Sequence, residues 1–275
     1  MKRVLVLGAG KVGQDFTAQL ARAGVQVSLY ARERQRDELT ERGVSYLTRS
    51  NKVQYQLLPA ARIITSLEEI DVDAAIVCFR SEQRAEAGKL LRSMKHAPPI
   101  AAFAFPVWPR SQLDFIPPTS AKAFIVPRVF AFRGPFDPSS TRIECIDPGA
   151  RPLAETLMRS DMRVTHVERL REAFARNLVL GLPAIRALSE HSFSARDFAG
   201  DLRSVEATLD YQESLTQRIA QVSRPRLPPR FLRRQILRNL GTLFSLGRRD
   251  IVESHVRGIA EQARTLLAEF ETLYP

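Results

Sequence analysis

The 275-residue chain has little cysteine and little histidine, and its second half has no lysine at all. Two cysteines, Cys78 and Cys145, are too few for a disulfide framework or a zinc site. Both lie in apolar runs and are expected as buried free thiols. The four histidines show no metal-ligand spacing, and no nucleophile motif accompanies them. No metal is expected. No apolar run reaches the roughly 20 residues of a membrane span, so a membrane is excluded as partner. The N-terminus enters a strand-like run at once, without a signal-peptide pattern, and the expected location is cytoplasmic. Every lysine lies at or before Lys122. Between Ser214 and Arg249 there is no acidic residue.

What is present begins at the first strand. Arg3-Val4-Leu5-Val6-Leu7 is an apolar run of strand length, followed at once by Gly8-Ala9-Gly10-Lys11-Val12-Gly13. A helical pattern then places Phe16, Leu20 and Ala23 on one face and stops at Gly24. A second apolar run, Val25 to Tyr30, follows. Strand, glycine turn, helix and strand form the context in which G-x-G-x-x-G signals dinucleotide binding. The first glycine permits the tight turn, the second lets a pyrophosphate approach the backbone, and the third lets helix and strand pack closely. The helix N-terminus offers N–H groups and a partial positive charge to phosphate. The expected cofactor-binding residues here are Gly8, Ala9, Gly10, Lys11, Val12 and Gly13.

The tip of the second strand reads Tyr30-Ala31-Arg32-Glu33-Arg34. An acidic residue there would favour the ribose hydroxyl of NAD, whereas arginine accommodates the 2′-phosphate of NADP. Arg32 is the expected contact, and NADP the expected cofactor.

Hydrophobic residues make up 44% of the chain, enough for a sizeable core. A helix is expected from Glu33 to Glu41 and a hairpin over Val44 to Leu57 around Ser50-Asn51. Ser66 is expected to cap a brief helix over Leu67 to Ile70. Further strands are expected at Arg62–Thr65, Asp73–Phe79, Ile100–Phe105, Ala121–Val126, Val129–Phe132 and Thr141–Ile146. A helix over Ser81 to Met94 falls among them. After Asp147-Pro148-Gly149 comes a helix over Leu153–Ser160 and a short strand over Met162–Val167. Helical periodicity then runs to the C-terminus, broken by the proline-rich stretch Ser223–Pro229. The fold class is α/β: an N-terminal Rossmann doubly wound sheet over residues 1–150 and a C-terminal all-helical domain over 151–275.

The net charge is +11 and spreads over both halves. Nine arginines fall between Ser214 and Arg249. Phe231 and Phe244 within this stretch have core-like spacing, which argues against the exposed aromatics of a nucleic-acid surface. A solvated face, a subunit contact or an anionic-substrate site remain as readings.

The first half resembles the ketopantoate reductase family, within the wider group of 6-phosphogluconate and β-hydroxyacid dehydrogenases. The resemblance rests on Val4-Leu5-Val6-Leu7-Gly8-Ala9-Gly10, Arg32, the hairpin before Thr65-Ser66, and the strand ending in Phe79-Arg80-Ser81-Glu82-Gln83. It implies that Phe79, Arg80 and Gln83 lie at the cofactor, with Arg80 in place of the family's lysine. It also implies that the helical half holds substrate and, as a possibility, pairs two copies into a homodimer.

The family's catalytic helix resembles Arg171 to Ala184. Asn177 stands where the substrate-orienting asparagine is implied. Four residues earlier, Ala173 replaces the lysine that polarises the carbonyl, and Gly181 replaces a second asparagine. Arg176 can act as a fixed cation but not as a proton donor. Asp250 or Glu253 is implied as a supporting carboxylate. His191 and His255 are read as surface or helix-end residues first. The family's Asn-Gly turn is replaced by Phe105-Pro106-Val107-Trp108. Two functions stay open: an NADPH-dependent reductase of a small anionic carbonyl or imine substrate with a rebuilt site, or an inactive NADP-binding sensor or partner-binding protein.

Overall fold

A computed structural model describes residues 1–48, 53–127, 140–160, 163–223, 226–239 and 249–275, with only the backbone for 47 and 249–256. The chain divides into two compact units: Met1–Phe105 with Gln112–Leu170, and Pro106–Ser111 with Arg171–Pro275. The division falls after residue 170 rather than at the expected 150. The physical reason is pairing. β9 (Thr141–Cys145) and β10 (Val164–His166) extend the main sheet, and α4 (Arg151–Arg159) buries Leu153, Ala154 and Leu157 in the first unit's core.

The first unit opens with β1 (Arg3–Leu7), α1 (Lys11–Arg22), β2 (Gln26–Tyr30) and α2 (Glu33–Arg42). β5 (Ala61–Ile64), β6 (Ala74–Val77), α3 (Arg84–Ser93), β7 (Ile100–Phe103) and β8 (Ala121–Val126) follow the hairpin β3 (Val44–Leu47) and β4 (Val53–Gln56). The eight-stranded sheet runs β10-β9-β8-β7-β6-β1-β2-β5. All its pairs are parallel except β8 with β9. From β5 to β8 this is the doubly wound order, whose switch point lies between β1 and β6.

Both faces of the central strands are covered, which explains why β1, β6 and β7 read as continuous apolar runs. Phe16 and Leu20 of α1, which packs on β1, β2 and β3, are buried in the same core, while Ala23 sits exposed at the helix end. The hairpin strands pair antiparallel in their own small sheet. Its Ser50-Asn51 turn lies outside the described residues, as do the expected strand Val129–Phe132 and residue Met162. The brief helix expected at Leu67–Ile70 is a turn closed by Ile70 N–H donating to the Leu67 carbonyl at 3.2 Å. Four residues before Asp71 leave too little chain for a helix. Cys78 and Cys145 are free and lie at or just beyond strand ends, where each residue keeps part of its surface exposed, although the Cys78 thiol itself is desolvated.

The second unit holds α5 (Leu170–Glu190, its first residue in the other unit), α6 (Ala195–Gly200), α7 (Leu202–Ile219), α8 (Arg230–Arg238) and α9 (Arg249–Leu273). Its core gathers Trp108, Leu178, Val179, Leu182, Leu215, Ile219, Leu266 and Phe270. Trp108 comes from the Pro106–Ser111 arm and is fully buried. Its indole N–H donates to the Leu266 carbonyl at 2.6 Å. The Ser111 hydroxyl donates to Glu269 Oε1 at 2.9 Å, and the Arg110 N–H to the Tyr274 hydroxyl at 3.3 Å. This arm replaces the Asn-Gly turn of the resemblance with a fastening into the helices.

Candidate functional site: a glycine turn at the sheet's switch point

The turn from β1 into α1 is built by three glycines with three different constraints. Gly8 has φ +107°, a conformation that L side chains rarely adopt. A Cβ there would also lie 2.7 Å from the Phe79 ring. Gly13 lies so close to the turn that a Cβ would come within 1.8 Å of the Gly8 carbonyl oxygen. Gly10 differs from both: a Cβ would meet no heavy atom within 4 Å. The first and third glycines are required by packing. The second faces open space, as a position that a ligand's pyrophosphate approaches should.

Around them, the Gly8 N–H donates to the Tyr30 carbonyl at 3.3 Å, and the Cys78 N–H to the Leu7 carbonyl at 2.8 Å. These bonds hold the ends of β2 and β6 beside the turn. Ala9 is buried, Lys11 exposed and Val12 half-buried. α1 starts without a side-chain cap and without an acidic residue in its first turn. Its N-terminal N–H groups and dipole therefore suit an anion. Gln14, which sequence reasoning missed, fixes the turn from behind. Its amide donates to the Ala9 carbonyl at 2.8 Å, and its Oε1 accepts from the Ser45 N–H and hydroxyl at 2.9 and 2.7 Å. No local pattern marks Gln14, because Ser45 lies on the hairpin.

Arg32 caps the start of α2 in extended conformation and keeps a half-exposed side chain. One guanidinium nitrogen lies 3.4 Å from Glu86 Oε1. Arg80 is exposed at the end of β6, with a nitrogen 3.9 Å from Glu82 Oε1. The Gln83 side chain accepts from the Arg80 N–H at 3.2 Å and shapes that turn. Phe79 lies against Gly8. The glycine turn, Arg32, Phe79, Arg80 and Gln83 thus belong to one unit and follow the C-terminal ends of the neighbouring strands β1, β2 and β6. An open glycine cradle, a helix N-terminus and two cationic side chains fit a dinucleotide phosphate. Burial pushes the nearby Cys78 thiol up in pKa, which keeps it protonated at neutral pH.

In the helical unit, Asn177 and Arg176 are half-buried on α5. Ala173 is exposed one turn before Asn177, and Gly181, one turn after, has no heavy atom within 4 Å of a built Cβ. The places implied for a lysine and a second asparagine are therefore small and open. Asp250 is the second residue of α9, but its side chain lies outside the described residues, as do those of Glu253 and His255. His191 Nε2 is 2.9 Å from the Ser204 hydroxyl, and that hydroxyl donates to Asp201 Oδ2 at 2.7 Å. Asp201 also accepts from the Arg203 N–H as the cap of α7. The serine bonds hold the Asp201 carboxyl below its ordinary pKa. This cluster is a helix-end fastening. His96 and His166 are exposed. Among the described residues, no three His, Cys, Asp or Glu side chains gather as metal ligands, and no helix is long and apolar enough to cross a membrane.

The arginine-rich stretch behaves differently from expectation. Arg230 reaches Glu206, Asp210 and Glu213 at 2.9, 2.6 and 2.8 Å. Arg233, 6% exposed, meets Glu213 at 2.7 Å and Gln212 at 2.9 Å. Arg234 donates to Glu206 at 3.0 Å. The acids come from α7, just before the stretch that lacks them. On α8, Arg233 and Leu237 are buried, Arg230 is half-buried and Arg234 exposed, and Phe231, Leu232 and Ile236 are also exposed. Phe231 is exposed despite its core-like spacing, since Arg233 and Leu237 take the inner face. Phe244 lies outside the described residues.

Residues 4–101 match the family model described as ketopantoate reductase PanE/ApbA. A search of curated proteins finds no match. Solved structures share the fold over nearly the whole chain. The 2-dehydropantoate 2-reductase of Porphyromonas gingivalis W83 has a TM-score of 0.64 and 15% identity, covering 99% of this chain and 98% of its own. That of Methylococcus capsulatus has a TM-score of 0.63 and 17% identity, covering 99% and 94%. A D-mandelate dehydrogenase solved with NADH and anilino(oxo)acetate has a TM-score of 0.57 and 14% identity, covering 88% and 80%. The glycine turn and the strands that carry it thus lie within a segment that matches the ketopantoate reductase family, and the chain as a whole has the ketopantoate reductase fold.

Proposed function

We propose that this chain is an oxidoreductase that binds NADPH in the first unit and reduces the carbonyl or imine carbon of a small anionic substrate. The observation that carries the reading is the glycine turn. Its two packing glycines are sterically obligatory, while Gly10 leaves the backbone open at the switch point of the sheet. Arg32 at the tip of β2 supports NADPH over NADH by offering a guanidinium to the 2′-phosphate. When bound, the nicotinamide supplies the hydride. The chain supplies the cradle, the phosphate clamp and the substrate contacts.

The substrate contacts follow the family only in part. Asn177 is the candidate to orient the substrate. Ala173 cannot stabilise a developing alkoxide, so that role passes to a fixed cation such as Arg176, with Asp250 as candidate supporting carboxylate. The absence of a lysine at this place argues against ketopantoate and favours other 2-oxo acids or imines. The same open positions at Ala173 and Gly181 favour a second reading, an NADP-binding sensor without turnover.

Titration of the protein with NADPH and NADH, followed by nicotinamide fluorescence, tests the cofactor half. Loss of a charge-assisted contact in Arg32→Ala should weaken NADPH about tenfold or more, with little change for NADH. Equal weakening of both would remove Arg32 from the phosphate. Oxidation of NADPH over a panel of 2-oxo acids and imines, lost in Asn177→Ala, would support the reductase. Tight NADPH binding with no turnover over the panel would favour the sensor.

A further inference from the structure

We propose that Glu86 is a specificity-determining residue: its carboxylate occupies Arg32 while no 2′-phosphate is present and yields that guanidinium when NADPH docks. The inference rests on the NADPH reading above, and its test separates the two.

The two residues are 54 positions apart and meet because β2 and the β6–α3 connection flank β1 in the sheet. Their contact is a single long one, 3.4 Å, between side chains that are each about half exposed. A guanidinium has five donors in a rigid fork, and bidentate arginine–phosphate contacts are shorter and stronger than this. A phosphate dianion therefore outcompetes the carboxylate. The displaced Glu86 is not stranded. It stands in the first turn of α3, where the helix dipole and solvent both favour its charge.

Arg80 repeats the arrangement nearby, held loosely by Glu82 at 3.9 Å. Both cations at these strand ends are thus kept neutralised and oriented by carboxylates from one short segment. NADH carries no 2′-phosphate, so the Arg32–Glu86 pair has no reason to open for it. Glu86 then sets the balance between the two nucleotides by competing with only one of them.

The test is a binding cycle read by nicotinamide fluorescence with NADPH and NADH, on wild type, Glu86→Gln, Arg32→Ala and the double variant. Exposed pairs of this kind are weak, so Glu86→Gln should tighten NADPH about two- to fivefold and leave NADH unchanged. In the Arg32→Ala background the same substitution should have no effect on NADPH, since the two residues act through one contact. Unchanged or weaker NADPH binding in Glu86→Gln overturns the proposal, as does an equal change for both nucleotides. If Arg32→Ala selectively weakens NADPH while Glu86→Gln does nothing, the NADPH reading stands and this inference falls. If no variant binds either nucleotide, both fall.

Discussion

The two units use arginine in opposite ways. At the C-terminal end of β2, Arg32 touches one carboxylate at 3.4 Å and stays half exposed. In the helical unit, Arg230 is held by three carboxylates within 2.9 Å, and Arg233 is almost fully buried. A single arginine at a strand tip is poised for exchange, whereas a run of arginines is spent on fastening α8 to α7. Density of charge along a sequence is therefore a poor guide to where an anion binds. What matters is how many partners each cation already has.

The same contrast separates the two kinds of small residue. In the first unit, Gly8 and Gly13 are demanded by packing; in the second, Gly181 and Ala173 border open space. The largest expected effect breaks the first of these. Gly13→Val forces a branched side chain into the Gly8 carbonyl, and backbone cannot move aside cheaply. The expected loss is at least about 3 kcal/mol, seen as a large drop in Tm or a failure to fold. A stable Gly13→Val protein would mean that the turn adapts and that its packing is not the constraint.

Next in size is the arm that the helical unit takes from the middle of the chain. Trp108→Ala removes a fully buried ring and the hydrogen bond to the Leu266 carbonyl. The expected destabilisation is about 3–5 kcal/mol in denaturant unfolding. A change below about 1 kcal/mol would be that of a surface residue and would contradict the arm's anchoring.

The smallest effect sharpens the contrast in arginine. Hydrogen bonds from Arg234 and Arg230 hold the Glu206 carboxyl down at about 2, below its ordinary 4.5. A depressed carboxylate stabilises the fold above its unfolded pKa and loses that contribution as pH falls through the folded one. Thermal melts of wild type and Glu206→Gln should therefore differ at pH 6 and converge as pH falls from about 4.5 toward 2. Parallel curves over that window would show that the pairs add nothing.

How much of this was legible in the sequence follows from the same physics. The turn, α1, β2, α2 and the hairpin strands were readable because glycine spacing and apolar periodicity are local signals. The cradle's glycines could be given separate roles for the same reason. The domain division was misplaced, because β10 joins the sheet through pairing with β9, a non-local event. The Pro106–Ser111 arm was invisible as an arm: its membership in the helical unit depends on contacts more than 150 residues away. Glu86 and Gln14 were missed because each acts on a partner brought near by topology. α8 was misread because apolar spacing predicts an inner face only when no ion pair competes for it. Of the catalytic candidates, Asn177 and Arg176 are neighbours on α5.

Gly10 tests the central claim most directly, since it is the one glycine of the turn that packing does not explain. Its backbone, φ −73° and ψ 179°, is open to any residue, and a methyl group there meets nothing in the protein. Gly10→Ala should therefore keep the wild-type Tm while NADPH binding, measured by titration, weakens more than about tenfold. NADPH binding that is unchanged in a normally folded Gly10→Ala protein would contradict the assignment of this turn as the cofactor cradle.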